Sequence, residues 1–111
     1  MEQSKIAAYG KELYDALHGQ KTVAPLTERE SDITIEDAYA IQMEMVRLRM
    51  EQDGDTIIGK KIGATSKVVQ GMLDVNQPDF GHLLSSMAYN DGAEVSISNT
   101  LIQTKMEGEI A

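Results

Sequence analysis

The chain has 111 residues, of which 41% are apolar and 25% charged, a composition typical of one globular domain with a modest core. Its formal net charge of −8 would repel nucleic acid and anionic membrane surfaces, so neither is expected as a partner. The absence of cysteine excludes disulfides and thiolate chemistry and fits a reducing, cytoplasmic environment. The first residues lack the basic and apolar regions of a signal peptide, so none is expected.

Helical patterns occupy the first half of the chain. Apolar residues recur at three- and four-residue spacing over 4–18 and again over 35–52, and this spacing predicts two amphipathic helices. Thr34 and Asp37 stand in the positions of a capping box at the start of the second helix. The residues between the two helices, 20–33, are polar and are predicted to form a connector.

A strand is predicted over residues 56–63, where branched apolar residues are flanked by glycines. The two-residue period of a strand places Lys60 and Lys61 on opposite faces. A lysine on the inner face of a sheet could bind a carboxylate or carry protons. The alternative is an edge strand with both lysines in solvent, and the sequence leaves both interpretations open.

A short helix is predicted after Ser66, followed by a turn-rich polar loop over residues 74–81. Asp79 lies beside Phe80 in this loop and has two interpretations. It could be a desolvated carboxylate that acts as a general acid or base. It could equally be a turn aspartate that accepts a hydrogen bond from its own backbone.

The remaining residues have a β-like pattern. Short strands are predicted at 87–89 and 94–97, and a longer one over 101–111. Helices followed by strands indicate the α+β class. We therefore expect an N-terminal helical region over residues 1–55 and a β-rich region over residues 56–111.

The predicted last strand would place Glu107 and Glu109 on one face, with the small Gly108 between them. Two carboxylates so close repel each other unless a cation lies between them. Their hard oxygen atoms suit Mg²⁺ or Mn²⁺. The alternative interpretation is an edge strand with a solvated acidic face.

Three segments in this order are similar to one known enzyme family: IGKKIGATS at 58–66, QPDFG at 77–81 and EGEIA at 107–111. The chain resembles the 2-hydroxypenta-2,4-dienoate hydratases, also called 2-oxopent-4-enoate hydratases. These are grouped with the 4-oxalocrotonate decarboxylases in the fumarylacetoacetate-hydrolase fold group. The likeness extends along the whole chain, and three ordered motifs are far more specific than one.

The resemblance implies a fold of N-terminal helices followed by the first strands of a fumarylacetoacetate-hydrolase-like β-fold, in a truncated form. Residues 56–111 would then be the incomplete start of the catalytic region, without a third acidic metal ligand. The residues that the resemblance assigns to the site are Lys61 and Asp79 as catalytic groups, Leu73 and Phe80 as substrate contacts, and Glu107 and Glu109 as ligands of Mg²⁺ or Mn²⁺.

The activity implied by the resemblance is the addition of water to 2-hydroxypenta-2,4-dienoate, which gives 4-hydroxy-2-oxopentanoate in the meta-cleavage degradation of aromatic compounds. The resemblance also implies a homo-oligomer, with a decarboxylase of the same family as a further partner. Two alternatives stay open at the level of sequence. One is a 4-oxalocrotonate decarboxylase, which acts on a diacid, and the other is a non-catalytic fragment.

Overall fold

The computed structural model describes all 111 residues and contains helices and a two-stranded sheet. In chain order the elements are α1 (Gln3–His18), α2 (Leu26–Arg29), α3 (Ile35–Asp53), β1 (Ile57–Gly63), α4 (Lys67–Met72), β2 (Asp79–Leu84), a 3₁₀ turn (Ser85–Met87) and α5 (Ile97–Thr100). The fold is mixed α and β, as the sequence predicted. No helix has both the length and the apolar character needed to cross a membrane.

The chain divides into two compact units. The first comprises Met1–Arg49 together with Gly92–Ala111, and the second comprises Met50–Asp91. The core of the first unit contains Ile6, Ile41 and Val46, all of which are buried. Ile6 lies on α1, whereas Ile41 and Val46 lie on α3, so both helices predicted from the apolar spacing contribute side chains to this core.

Helix α3 approaches α1 closely at Gly10. A Cβ atom added to Gly10 would lie 2.5 Å from Cγ of Glu44 and 3.3 Å from the backbone nitrogen of Met45. Glycine normally weakens a helix by about 1 kcal/mol relative to alanine. At this position the absence of a side chain lets the two helices approach more closely than any other residue would allow.

The capping box predicted at the start of α3 is confirmed. The backbone N–H of Thr34 donates to Asp37 Oδ2 at 3.0 Å, and the backbone N–H of Asp37 donates to Thr34 Oγ1 at 3.1 Å. The ammonium group of Met1 donates to Asp37 Oδ1 at 3.0 Å. The Thr34 backbone bond, followed by the Met1 ammonium, lowers the pKa of Asp37 from 3.8 to about 2.

The predicted connector contains more structure than its composition suggested, because polar contacts with α1 hold it in place. The hydroxyl of Tyr9 donates to Glu30 Oε1 at 2.6 Å. The guanidinium of Arg29 donates to both carboxylate oxygens of Glu12, at 2.6 and 3.0 Å. Arg29 is the last residue of α2 and Glu30 directly follows it, so these contacts hold the C-terminal end of α2 against α1. A helix of a single turn would not form alone.

In the second unit, β1 and β2 form an antiparallel pair joined by a connection that contains α4. The predicted short helix is confirmed, since the Ser66 hydroxyl accepts a hydrogen bond from the Val69 N–H at 3.1 Å and caps α4. The prediction of a loop over 74–81 is wrong at its end, because β2 begins at Asp79. Residues 79–81 are extended because they pair with β1. A prediction from local sequence cannot take that pairing into account.

Both short strands predicted after β2 are wrong. Residues Ser85–Met87 form a 3₁₀ turn, and Ile97–Thr100 form a single helical turn. The strand predicted over 101–111 is also absent, since no strand is assigned beyond β2. Met106 and Ile110 are almost fully exposed there, so the segment has neither a pairing partner nor a buried face.

A buried carboxylate closes the base of the β1–β2 hairpin. Asp55 is 6% exposed and accepts three hydrogen bonds, from the Ser85 hydroxyl at 3.0 Å, the Ser86 N–H at 2.9 Å and the Ser86 hydroxyl at 2.9 Å. Thr56 and Ser85 add two further bonds between the same chain segments. The carboxylate therefore joins the residues immediately before β1 to those immediately after β2.

Replacement of Asp55 by asparagine should destabilise the second unit by about 2 kcal/mol. An amide has one acceptor oxygen in place of two, and its NH₂ group would face the serine donors. Urea unfolding of the Asp55→Asn variant would measure the loss. Asp91→Asn, at an exposed position, is the matched control and should change stability by less than about 0.5 kcal/mol. Equal stability of the two variants would contradict the role given to Asp55.

Candidate functional site

The two residues predicted to be catalytic lie on one face of the hairpin. The register pairs Lys61 with Gly81 and Gly63 with Asp79. Directly opposed residues of an antiparallel pair share a face, and so do residues two apart on one strand. Lys61 and Asp79 are therefore diagonal neighbours, a relation in which Cβ atoms lie roughly 7 Å apart.

Each of these residues faces a glycine on the opposite strand. A Cβ added at Gly81 would meet nothing within 4 Å, so the surface beside Lys61 is open. A Cβ added at Gly63 would overlap the carboxylate of Asp79, which occupies the space above that glycine. The pair of glycines thus leaves room beside Lys61 and seats the Asp79 carboxylate against the strand.

The predicted substrate contacts lie elsewhere in the second unit. Phe80 pairs with Ile62, and Lys60 pairs with His82, on the opposite face from Lys61. The predicted separation of the two lysines onto different faces is thereby confirmed. Phe80 is 53% exposed and does not share the face of Asp79, while Leu73 is 60% exposed at the C-terminal end of α4.

The predicted metal ligands belong to the first unit. Glu107 and Glu109 are exposed and lie in a segment without regular secondary structure, so no strand fixes their carboxylates on a common face. The chain contains no group of three or more His, Cys, Asp or Glu side chains arranged to hold a metal ion. The role of these two glutamates as metal ligands remains a prediction.

A separate groove of about 570 Å³ lies among the helices of the first unit. Its walls are mainly aliphatic and come from α1, the segment around α2, and α3, including Leu13, Leu26 and Met45. None of the six predicted site residues lines it. Local sequence patterns do not predict this groove, because it forms where three separate segments meet.

Three residues of the second unit that bear on this arrangement were not identified from the sequence: Gly63, Gly81 and Gln70. Gly63 and Gly81 acquire their meaning only from the strand register. Gln70, on α4, is buried and donates from Nε2 to the backbone oxygen of Ala64 at 2.9 Å. A prediction that the glycine-flanked strand pairs with the QPDFG segment would have placed the two glycines opposite Lys61 and Asp79. Nothing in the sequence indicated a role for Gln70.

Comparison with curated proteins supports the resemblance seen in the sequence. A 2-hydroxyhexa-2,4-dienoate hydratase of Comamonas testosteroni is 55% identical over 107 residues, which is 96% of this chain and 40% of the relative. A 2-hydroxypent-2,4-dienoate hydratase of Pseudomonas putida is 51% identical over 111 residues, which is 100% of this chain and 50% of the relative. The chain thus spans two-fifths to half of these relatives. No protein-family model matches it.

Comparison with solved structures identifies a related enzyme. The structure of 4-oxalocrotonate decarboxylase from Pseudomonas putida G7, complexed with calcium and acetate, superimposes with a TM-score of 0.84 and 28% identity. The match covers 92% of this chain and 39% of that one. The structure of the same enzyme complexed with magnesium and adipate has a TM-score of 0.71 and 27% identity, over 78% of this chain and 32% of that one.

In sequence and in fold, the chain therefore resembles part of enzymes that are longer than the chain itself. By sequence, the chain is a homologue of the 2-hydroxypentadienoate hydratases, also named 2-keto-4-pentenoate hydratases. The resemblance drawn from the three motifs is therefore confirmed.

The contact between Gly63 and Asp79 can be tested by a double-mutant cycle. Gly63→Ala should displace the Asp79 carboxylate, so its cost should fall when Asp79 is replaced by alanine, with a coupling energy of about 0.5–1 kcal/mol. Gly81→Ala, beside open space, is the control and should show no coupling to Asp79→Ala. Stability would be measured by urea unfolding. Additive effects at Gly63 would show that the carboxylate does not lie against it.

Proposed function

We propose that the chain forms part of a hydro-lyase that adds water to 2-hydroxypenta-2,4-dienoate and produces 4-hydroxy-2-oxopentanoate, in the meta-cleavage degradation of aromatic compounds. In net terms, water contributes a hydroxyl at C4 and a hydrogen at C5, while the enol hydrogen moves to C3. The support comes from named hydratases that are 51–55% identical over nearly all of this chain. Because the chain spans half of their length or less, the activity is proposed for the whole protein.

A fumarylacetoacetate-hydrolase-like fold is the architecture that we propose for the whole protein, with this chain as its N-terminal portion. The superposition on 4-oxalocrotonate decarboxylase supports an enzyme fold larger than the chain. We also propose that the protein is a cytoplasmic homo-oligomer, with a decarboxylase of the same family as its partner. Its small-molecule ligand would be a 2-hydroxydienoic or 2-oxo acid.

The observation that carries the catalytic proposal is the placement of Lys61 and Asp79 on one face of the hairpin. An ammonium group there would pair with the carboxylate or 2-oxygen of the substrate and stabilise negative charge as it develops. The Asp79 carboxylate would transfer protons to or from the carbon chain. The open space beside Gly81 leaves room for a small planar acid next to Lys61.

Leu73 and Phe80 are the proposed apolar contacts of the substrate. Both side chains are more than half exposed, so each has surface available for a ligand. The side chain of Phe80 lies on the opposite face of the sheet from Asp79. Because Phe80 is the second residue of β2, it would contact the substrate around the end of that strand.

Glu107 and Glu109 are the residues that would hold a divalent metal ion. Carboxylate oxygens are the donors that Mg²⁺ prefers, and one or two of them suffice when water and substrate complete the shell. The calcium and magnesium complexes of 4-oxalocrotonate decarboxylase support a divalent ion in this group of enzymes. When bound, such an ion would supply Lewis-acid stabilisation of the enolate oxygen.

The role of Lys61 can be tested against its neighbour Lys60, which lies on the opposite face. In the protein expressed from its complete natural gene, Lys61→Met should lower kcat/KM for 2-hydroxypenta-2,4-dienoate about 100-fold, since one electrostatic contact to developing charge is lost. Lys60→Met should stay within about threefold of the parent protein. The assay is the loss of the dienoate absorbance. Equal effects of the two substitutions would remove Lys61 from the site.

A decarboxylase is the second candidate, because the superimposed structures carry that name. Its diacid substrate would lose carbon dioxide, whereas the monoacid dienoate gains water. The two activities would be compared with the same purified protein. Carbon dioxide release from 4-oxalocrotonate, without hydration of the monoacid, would replace the proposed reaction by decarboxylation.

The metal proposal predicts the behaviour of two further variants. Glu107→Gln and Glu109→Gln should each weaken Mg²⁺ binding at least about tenfold, since an amide oxygen carries no charge for the ion, while the circular dichroism spectrum stays unchanged. Isothermal titration calorimetry on the protein from its complete gene would measure the affinity. Glu94→Gln, at an exposed position in the same unit, is the control. Parental affinity in both glutamate variants would show that the metal binds elsewhere.

A further inference from the structure

Gln70 is a buried side chain with one amide atom bonded and the other unpaired. It is 5% exposed, and its Nε2 donates to the backbone oxygen of Ala64 at 2.9 Å. Its Oε1 is buried without a hydrogen-bond partner. An unpaired buried acceptor costs about 1–3 kcal/mol, so an apolar side chain of the same size would suit a purely packing role better.

The bond from Gln70 holds a residue in an unfavourable conformation. Ala64 has a φ of 51°, in the left-handed region that non-glycine residues rarely adopt. Such a conformation costs of order 1 kcal/mol and persists only where neighbouring contacts fix it. The Gln70 amide supplies that contact on one side, and Ser66, which caps α4, anchors the chain two residues later.

The fixed turn directly follows the part of β1 that carries the proposed catalytic lysine. Gly63 precedes Ala64, pairs with Asp79 in the register and lies against the Asp79 carboxylate. Lys61 is two residues earlier on the same face. The direction in which the chain leaves β1 at Ala64 therefore sets the position of Gly63 against Asp79, and with it the spacing of the Lys61–Asp79 pair.

We propose that Gln70 is a positioning residue for Lys61 and Asp79, acting through its hydrogen bond to Ala64. This inference depends on the proposed function for its effect on turnover, whereas its structural part does not. Loss of the amide should let Ala64 relax toward ordinary backbone angles and shift Gly63 away from Asp79. Misplacement of catalytic groups by about 1 Å can lower a rate a hundredfold while binding changes little.

The test uses Gln70→Met, which keeps the length of the side chain and removes both amide atoms. In the protein from its complete natural gene, kcat for 2-hydroxypenta-2,4-dienoate should fall at least about tenfold while KM changes less than about twofold. Ala64→Gly, added to Gln70→Met, should restore much of the lost kcat, because glycine adopts the left-handed turn without cost. Gln52→Met, at an exposed helical position, is the control with parental kinetics.

A second measurement does not depend on activity. In the NMR spectrum of the 111-residue chain, the Gln70 side-chain amide protons should exchange slowly with solvent, as expected for a buried hydrogen bond. Gln70→Met should shift the backbone amide signals of Lys61, Gly63 and Asp79, and Gln52→Met should leave them unchanged. Fast exchange of the Gln70 amide, or unshifted signals in Gln70→Met, would overturn the positioning role even if that variant proved unstable.

The outcomes separate the two proposals. An unmutated protein that does not turn over the dienoate would refute the proposed function, while the NMR result would still decide the role of Gln70. An active parent protein with unchanged kcat in Gln70→Met would refute the positioning role alone. A fall in kcat that Ala64→Gly fails to restore would show that Gln70 does not act through the turn.

Discussion

The hydrogen-bonded carboxylate of Asp55 is the contact on which the β hairpin depends. A buried charge is costly unless donors surround it, and Ser85 and Ser86 supply three. A two-stranded sheet by itself is marginally stable in water, so its base needs such an anchor. Because Asp55 lies just before β1 and the serines just after β2, one buried charge joins the two ends of the hairpin. The buried side chain of Leu84, 1% exposed, lies at the same end.

Each catalytic candidate of the hairpin faces a glycine on the opposite strand. Lys61 and Asp79 lie diagonally on one face, opposite Gly81 and Gly63. A one-residue slip would transfer Lys61 to the other face and replace it by Lys60 or Ile62. At the far end of the hairpin, the Gln70–Ala64 hydrogen bond fixes the turn by which the chain leaves β1. The two ends of β1 are thus held by different polar contacts.

The helices of the first unit were predictable because their signals are local. The capping pair Thr34 and Asp37 was correct to the atom, since both partners lie within one helical turn. The later strands were not predictable for the opposite reason. Residues 94–97 and 101–111 alternate like strands, but no neighbouring segment pairs with them. Asp79, interpreted as a loop residue, became the first residue of β2 because β1 is available as a partner.

The sequence by itself determined the mixed class of fold, the positions of α1, α3 and β1, and the kinship with the 2-hydroxypentadienoate hydratases, which three short motifs already indicated. These features reside in local spacing and in residue identity. Only the tertiary structure decided that Lys61 and Asp79 share a face, that Phe80 lies on the other, and that Gln70 is buried against Ala64. Those relations depend on strand pairing and on burial, which bring together residues from different segments. Local conformational preference does not determine them.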